Sequence, residues 1–408
     1  MFKGTRLASM ILLAAFAVAA AITTTPAAAQ TETILHSFHQ DGTDGTAPIG
    51  GVIFDASGNL YGTTSTGGAV KYGIVFELTP VGGGSWNEKV VHTFIHTDGH
   101  APFGGLSFDA AGHLYGTTSA GGVYNNGAVF ELTPNVRGNW GERVLRNFNR
   151  EGQGSWGNLV SDSSGNLYGV TGAGGAYGSG SVFELIPQAG GTWSEKVLHS
   201  FGSGVDGASP YGGVILDAVG NIYGTTAFGG VYGRGTVFEI AHSRGGWTEK
   251  VLHSFNPKGA ADGDQPEGGL IFDAAGNLYG TTGEGGTGGW GTVFELTSNA
   301  SGIWTEQLLH SFTSADGAGP FAGLTFDAHG NLYGTTASGG AGGRGTVFEL
   351  QSAVGGGWTQ KVLHSFSNDG TDGYTPYAGV ILDAAGNLYG TTSAGGIYNH
   401  GTVYEVTP

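Results

Sequence analysis

Six histidines at one phase of a repeat, His36, His92, His199, His253, His310 and His364, are the first residues in this chain whose type and spacing suggest chemistry. Regularly placed imidazoles raise the question of a metal site. Each belongs to a different Leu-His-Ser-Phe-type segment, however, so the six cannot converge on one ion, and no metal centre is expected of them. Carboxylates are the second candidate. Of 32 acidic residues, 20 recur at fixed repeat positions, and the other twelve, among them Asp41, Asp44, Glu151, Asp206, Glu267, Asp369 and Asp372, fall in two sets of loops. The Asp-Gly-Thr-Asp-Gly runs at 41–45 and 369–373 cluster carboxylates in a way that suits a hard cation, so calcium is the one cofactor they bring into question; solvated surface loops explain them equally.

Aromatic rings accompany those loops. Phe103, Trp156, Tyr211, Phe321 and Tyr377 stand at one repeat position, just before a Gly or Ala, and Ile49 and Glu267 occupy it in the other two copies. A second set, Tyr72, Tyr124, Tyr177, Tyr232, Trp290 and Tyr398, sits in Gly-Gly-x-x-x-x-Gly loops. One reading is that the rings pack neighbouring loops together. The functional reading is a ligand-binding mouth in which Trp156, Tyr211, Phe103, Phe321 and Tyr377 are stacking platforms and Glu151 and Asp206 accept hydrogen bonds.

The elements that must position these residues follow from a repeat. Gly58 to Leu78, GNLYGTTSTGGAVKYGIVFEL, has seven recognisable copies, with the Tyr of Tyr-Gly at 61, 115, 168, 223, 279, 333 and 389. A fixed period of this kind is one supersecondary unit repeated. Within a unit, Gly51–Asp55, Asn59–Thr64, Ile74–Thr79 and Trp86–Phe94 read as four strands bounded by Gly, Pro, Asn or Ser, and no room is left for a helix. The Asp of each Asp-x-x-Gly-Asn-type link caps a tight turn. The Glu of each Val-Phe-Glu-Leu-type strand, with a basic residue on most following strands, suggests cross-strand ion pairs.

Four-stranded units of this length without helices predict an all-β, seven-bladed β-propeller spanning residues 30–408. The phase of the repeat sets its closure. The segment Thr31–Phe38 is a fourth-strand sequence and Thr402–Val406 a third-strand sequence, so the N-terminal strand should complete the last blade by pairing with the C-terminal one.

Residues 1–29 read as a secretory signal peptide. Lys3 and Arg6 precede an apolar stretch from Leu7 to Ile22, and Ala27-Ala28-Ala29 offers small residues for cleavage. No other stretch is long and apolar enough to span a membrane, so a secreted or periplasmic protein, expected as a monomer, is the reading. The chain has no cysteine, which rules out disulfides and thiolate chemistry. Its 82 glycines fall at repeat positions beside Val, Phe, Leu and Tyr, which speaks for turns rather than disorder. A net charge of −17 argues against nucleic acid as a partner.

The LYGTTxxGGxxxxGTVFEL pattern resembles the bacterial choice-of-anchor tandem-repeat proteins, also called GloVer-repeat proteins, over all of residues 31–408. The resemblance supplies no catalytic residues. It implies C-terminal surface anchors in other members; here the chain stops at Pro408 directly after a strand, and the expectation is a freely secreted protein. Two functions remain open. The first is a non-catalytic propeller that binds an extracellular glycan or surface protein. The alternative is an extracellular hydrolase or lyase of the propeller kind, which would need an acid and a base at the channel mouth, with Glu151, Asp206 and Glu267 as candidates.

Overall fold

The computed structural model describes residues 31–150, 152–202, 205–256, 262–353 and 356–408; the signal-peptide reading of residues 1–29 and the acid at 151 lie outside them. Every regular element among the described residues is a strand. Seven four-stranded antiparallel sheets form the blades of a β-propeller. In the first, Ile53–Phe54, Leu60–Thr64, Ile74–Gly82 and Ser85–Thr93 pair in sequence order from inside to outside.

Burial explains why these segments are strands of this kind. The five residues of Leu60–Thr64 are all buried, whereas Ser85–Thr93 alternates between exposed and half-buried positions. A central strand covered on both faces reads as a continuous apolar run, and an outer one alternates. The protein accordingly has seven hydrophobic clusters rather than one core, each at a seam between adjacent blades. Tyr61, Val75 and Phe94 of one blade, for example, meet Leu106, Leu114, Phe130 and Leu132 of the next. A bulge after Val75 leaves Val91 unpaired, and the same bulge recurs in the other blades. The freed residue, Leu35 or Leu198 for instance, turns into the seam.

The strand glycine of each Leu-Tyr-Gly-Thr-Thr makes room for a ring. Gly62 pairs with Phe76, and a Cβ at Gly62 would fall 2.5 Å from the Phe76 ring. In the last blade that ring is Tyr404, which is fully buried and whose hydroxyl has no partner among the described residues.

Polar groups within a blade are also paired. Asp55 Oδ1 accepts from the amides of Ser57 and Asn59 and Oδ2 from the Asn59 side chain, so the recurring Asp caps the turn. The recurring Glu has a larger role than ion pairing. Lys89 does lie 3.2 Å from Glu77. But Tyr115 Oη donates its single proton toward Glu131 Oε1 at 3.1 Å and Asp109 Oδ2 at 3.2 Å, and the same Tyr, Asp and Glu meet in other blades.

At the axis the strands are shorter than the sequence indicates. Only two residues of each innermost segment pair, as in Ile53–Phe54, because the preceding Gly-Gly is packed against the neighbouring blade. A Cβ at Gly50 would lie 2.8 Å from the Gly104 carbonyl oxygen, and one at Gly104 would lie 2.8 Å from that of Gly157. The second-strand threonine latches the same contact. Thr225 Oγ1 donates to Gly268 O at 2.9 Å, Thr281 to Ala322 O at 2.8 Å, Thr335 to Ala378 O at 2.8 Å, and Thr391 to Gly50 O at 3.0 Å. In the third blade Val170 takes this position, and the latch is absent there.

The last of these latches joins residues 341 positions apart and closes the ring. The closing strand pairing is the one the repeat phase requires: Thr31–Ser37 lies antiparallel to Thr402–Thr407, with Thr31 opposite Thr407 and Ser37 opposite Thr402. Leu35 and Phe38 are buried in the seam between last and first blades. Deleting residues 31–38 exposes the edge of Thr402–Thr407 and removes those two side chains, worth about 3–6 kcal/mol together. A large fall in melting temperature is expected; a truncated protein that melts like the intact one contradicts this closure. Conversely, Tyr404→Phe removes an unsatisfied buried hydroxyl and should stabilise by about 1 kcal/mol, read as a higher midpoint in urea.

Candidate functional site

Six of the seven blades are entered through a short loop whose geometry is set by a residue in the left-handed region followed by proline, Ser155 standing for the proline in the third. Ala101 (φ 52°), Ser209 (φ 55°), Gln265 (φ 56°) and Thr375 (φ 58°) precede Pro102, Pro210, Pro266 and Pro376. Left-handed backbone is uncommon for residues other than glycine. Here the amide of that residue donates to the preceding blade, as in Gln265 N to Arg234 O at 3.1 Å and Thr375 N to Arg344 O at 2.9 Å. The proline ring then sits against a glycine of the same preceding blade; a Cβ at Gly235 would meet Pro266 Cδ at 2.5 Å. So fixed, the next residue projects into the axis. These residues are Ile49, Phe103, Trp156, Tyr211, Glu267, Phe321 and Tyr377, and they line a central cavity of about 800 Å³.

All five sequence-predicted rings are therefore brought together. Phe103 and Trp156 have ring centroids 5.0 Å apart, Trp156 and Tyr211 5.1 Å at 31°, and Phe321 and Tyr377 6.4 Å at 36°. Trp156 and Tyr377 line the cavity and remain 47% and 42% exposed. Room for two of the rings is made one blade back by glycines. A Cβ at Gly172 would fall 2.9 Å from Tyr211 Cε1, and one at Gly283 would fall 2.4 Å from Phe321 Cε1.

Of the two predicted acceptors, Glu151 lies outside the described residues and Asp206 is not part of the cavity wall. Asp206 is buried among loop amides, where its Oδ2 accepts from His199 Nε2 at 2.9 Å and its Oδ1 from Gly207 N at 2.7 Å, and it does not line the cavity. The second aromatic set is also outside: Tyr124, Tyr177, Tyr232 and Tyr398 are exposed on the loops around the mouth. Four polar residues line the cavity, Asn158, Gln265, Glu267 and Glu284, of which the sequence reading places only Glu267 at the channel mouth, as a candidate acid or base. Glu267 holds a collar position. Glu284 reaches the cavity because Gly263–Asp264 pairs antiparallel with Glu284–Gly285. Asn158 stands where most blades have the second glycine of the Gly-Gly pair; its Oδ1 accepts from Gly105 N at 2.6 Å, and its side chain is exposed in the cavity. The break in that glycine pair is the signal by which it could have been found.

Burial and the neighbouring Glu284 charge raise the Glu267 pKa above the usual carboxylate range. Among the described residues no lysine or arginine lines the cavity. The nearby cation Arg234 is held by Asp264 at 2.9 Å.

The histidines have a different role from ligation of a common ion. His92, His199, His310 and His364 each reach an aspartate of the following loop, at 3.2 Å to Asp98, 2.9 Å to Asp206, 3.1 Å to Asp316 and 3.3 Å to Asp372. The fourth-strand Glu of the next blade faces several of these pairs. Glu32 with His364 and Asp372, Glu88 with His36 and Asp44, and Glu249 with His199 and Asp206 bring their ligand atoms within 4.8 Å of one another, which is metal-ligating geometry. The same seam elsewhere carries a direct Arg146–Glu195 ion pair, and in the sixth blade Gln360 replaces the Glu. In the calcium candidates, Asp41 Oδ1 and Asp369 Oδ1 accept from their own loop amides and from Thr43 and Thr371 hydroxyls.

A closed seven-bladed propeller with an aromatic-collared central cavity is a scaffold used by binding proteins and enzymes alike. The chain belongs to the family described as the Gloeobacter/Verrucomicrobia repeat, which matches residues 18–218 and 210–408. No curated protein matches its sequence. Among solved structures it is similar to a putative 6-phosphogluconolactonase from Bacteroides uniformis, with 14% identity, a TM-score of 0.51, and 81% of this chain and 88% of that chain covered. It is also similar to a protein of unknown function from Dyadobacter fermentans, with 12% identity, a TM-score of 0.42, and 82% and 98% covered. At 14% identity the first likeness speaks to the fold alone.

Two expected outcomes follow from the carboxylates. Burial pushes Glu32, Glu88, Glu249 and Glu306 up to about 7 from 4.5, and Glu142 upward as well. The folded protein thus holds protons that the unfolded chain releases, and stability falls as pH rises through that window. Melting temperatures should decline from about pH 5 to about pH 8, and Glu88→Gln with Glu249→Gln should flatten the decline. A profile that rises over this range contradicts the assignment. For Asp206→Ala, the loss of a buried charged acceptor should cost about 1–3 kcal/mol in a denaturant titration while leaving the fluorescence maximum of Trp156 in place.

Proposed function

We propose that this protein is a secreted, non-catalytic propeller that binds an extracellular glycan in its central cavity. The observation that carries this reading is the arc Phe103, Trp156 and Tyr211, three cavity-lining rings in successive blades with centroids about 5 Å apart. Flat apolar faces suit the C–H faces of sugar rings, and Asn158 supplies an amide whose oxygen is fixed by Gly105, so that its N–H groups can donate to a hydroxyl. A cavity of about 800 Å³ accommodates an oligosaccharide end rather than one water-sized solute. Export is supported by residues 1–29 as a signal sequence.

The second reading, an extracellular hydrolase or lyase, is favoured by Glu267 alone. A carboxyl raised by burial beside a second carboxylate is the environment a general acid needs. Of its other candidates, Glu151 lies outside the described residues and Asp206 does not line the cavity, whereas Glu284 does and could partner Glu267 in such chemistry.

The test is Trp156→Ala with Tyr211→Ala, measured for binding on a glycan array and for thermal melting. Binding lost with melting unchanged supports the site. Collapse of stability in each single variant would make the rings packing residues, and release of shortened sugars by the wild type, abolished in Glu267→Gln, would replace the binding reading with the enzymatic one.

A further inference from the structure

The cavity wall is chemically two-sided. The Phe103, Trp156 and Tyr211 side is aromatic, and the side of the fifth blade carries Glu267 and Glu284, the two charged residues that line it. Neither carboxylate has an ion-pair partner among the described residues, and the adjacent cation, Arg234, is committed to Asp264. Glu267 occupies the collar position between Tyr211 of the fourth blade and Phe321 of the sixth.

We propose that this side is a subsite for an organic ammonium group, and that the glycan is an amino sugar with free amines. The inference rests on the glycan reading above. Two like charges brought together on a half-enclosed apolar wall repel each other and lose hydration, and a bound cation relieves both costs. A primary ammonium offers three donors, enough to bridge two carboxylates, and the flanking aromatic rings add attraction through their electron-rich faces. A neutral ligand gains none of this, and an anionic one is repelled. The aromatic arc holds the sugar ring while the carboxylates select the substituent on it. The protein's overall charge of −17 favours approach of a cation from solution.

The chain from residue 30 onward is titrated by calorimetry with three tetrasaccharides of the same β-1,4 linkage: glucosamine, N-acetylglucosamine and glucose. The free amine should bind tenfold or more tightly than either neutral sugar. Glu267→Gln, which keeps shape and removes one charge, should erase that preference. Glu284→Gln should reduce the preference in part. Equal affinity for all three sugars overturns the ammonium subsite and leaves the glycan reading standing. If no sugar binds, that reading falls and the amino-sugar assignment with it. Ethylammonium, which keeps the three N–H donors, then tests the subsite directly through quenching of tryptophan fluorescence. Quenching in the wild type that is lost in Glu267→Gln keeps an ammonium subsite for a different carrier, and no quenching in either removes it.

Discussion

Everything in this protein depends on how closely seven backbones approach one another around the axis. Adjacent blades touch through glycine, and a single added carbon at Gly50, Gly157, Gly212 or Gly268 would fall within 2.8 Å of the neighbouring main chain. That contact limits the innermost strands to two paired residues. It also brings second-strand threonines within reach of the next blade's carbonyls, so a steric requirement becomes a set of directional bonds. The apolar seams farther out supply most of the burial, but they slide more readily than a hydrogen bond at the hub. Ring geometry and cavity width are therefore both consequences of residues with little or no side chain.

The architecture was legible because its signals repeat. A period of about 54 residues, the four β-prone runs within it and the phase difference between Thr31–Phe38 and Thr402–Val406 led to the observed blade count and ring closure. Strand length at the axis was not legible, since apolar residues around Ile53 read as strand whether or not crowding allows them to pair. In the site, the rings were found because they share one repeat position. The surroundings of the loop carboxylates were not legible, because composition does not reveal partners. Asp206 and Glu267 are both loop acids in the sequence, yet one is bound to a histidine seven positions earlier and the other faces an open cavity. The proline before most collar positions was an overlooked signal of the same quality as the glycines.

The third blade concentrates the departures from symmetry. On the adjoining strand of the second blade Arg146 replaces His and pairs with Glu195 of the third; within the third, Val170 replaces the latching Thr, Ser155 replaces the proline, and Asn158 replaces a glycine. Ser155 Oγ is buried without a partner. The forfeited threonine bond and the orphaned hydroxyl each cost on the order of 1 kcal/mol. In return, Trp156 lies exposed beside Tyr211, and Gly172 leaves space for the Tyr211 ring. Local losses of regularity thus coincide with the arc of rings on which the glycan reading rests, as is common where a repeated scaffold carries one site.

The pairing of Thr31 with Thr407 has a consequence for how the molecule is made. A strand synthesised at the start of the domain must wait for the whole ring before its partner exists. Six blades can each form from sequence-local hairpins as they emerge, but the seventh is a contact of the highest order the chain allows, and such contacts form slowly. During that interval Thr402–Thr407, once made, is an open sheet edge and Thr31–Ser37 a strand without a sheet. The completed ring leaves neither available. The step that gives the native protein its lack of free ends is therefore also the last and most exposed moment of its folding, when a strand from a second chain competes for the same edge.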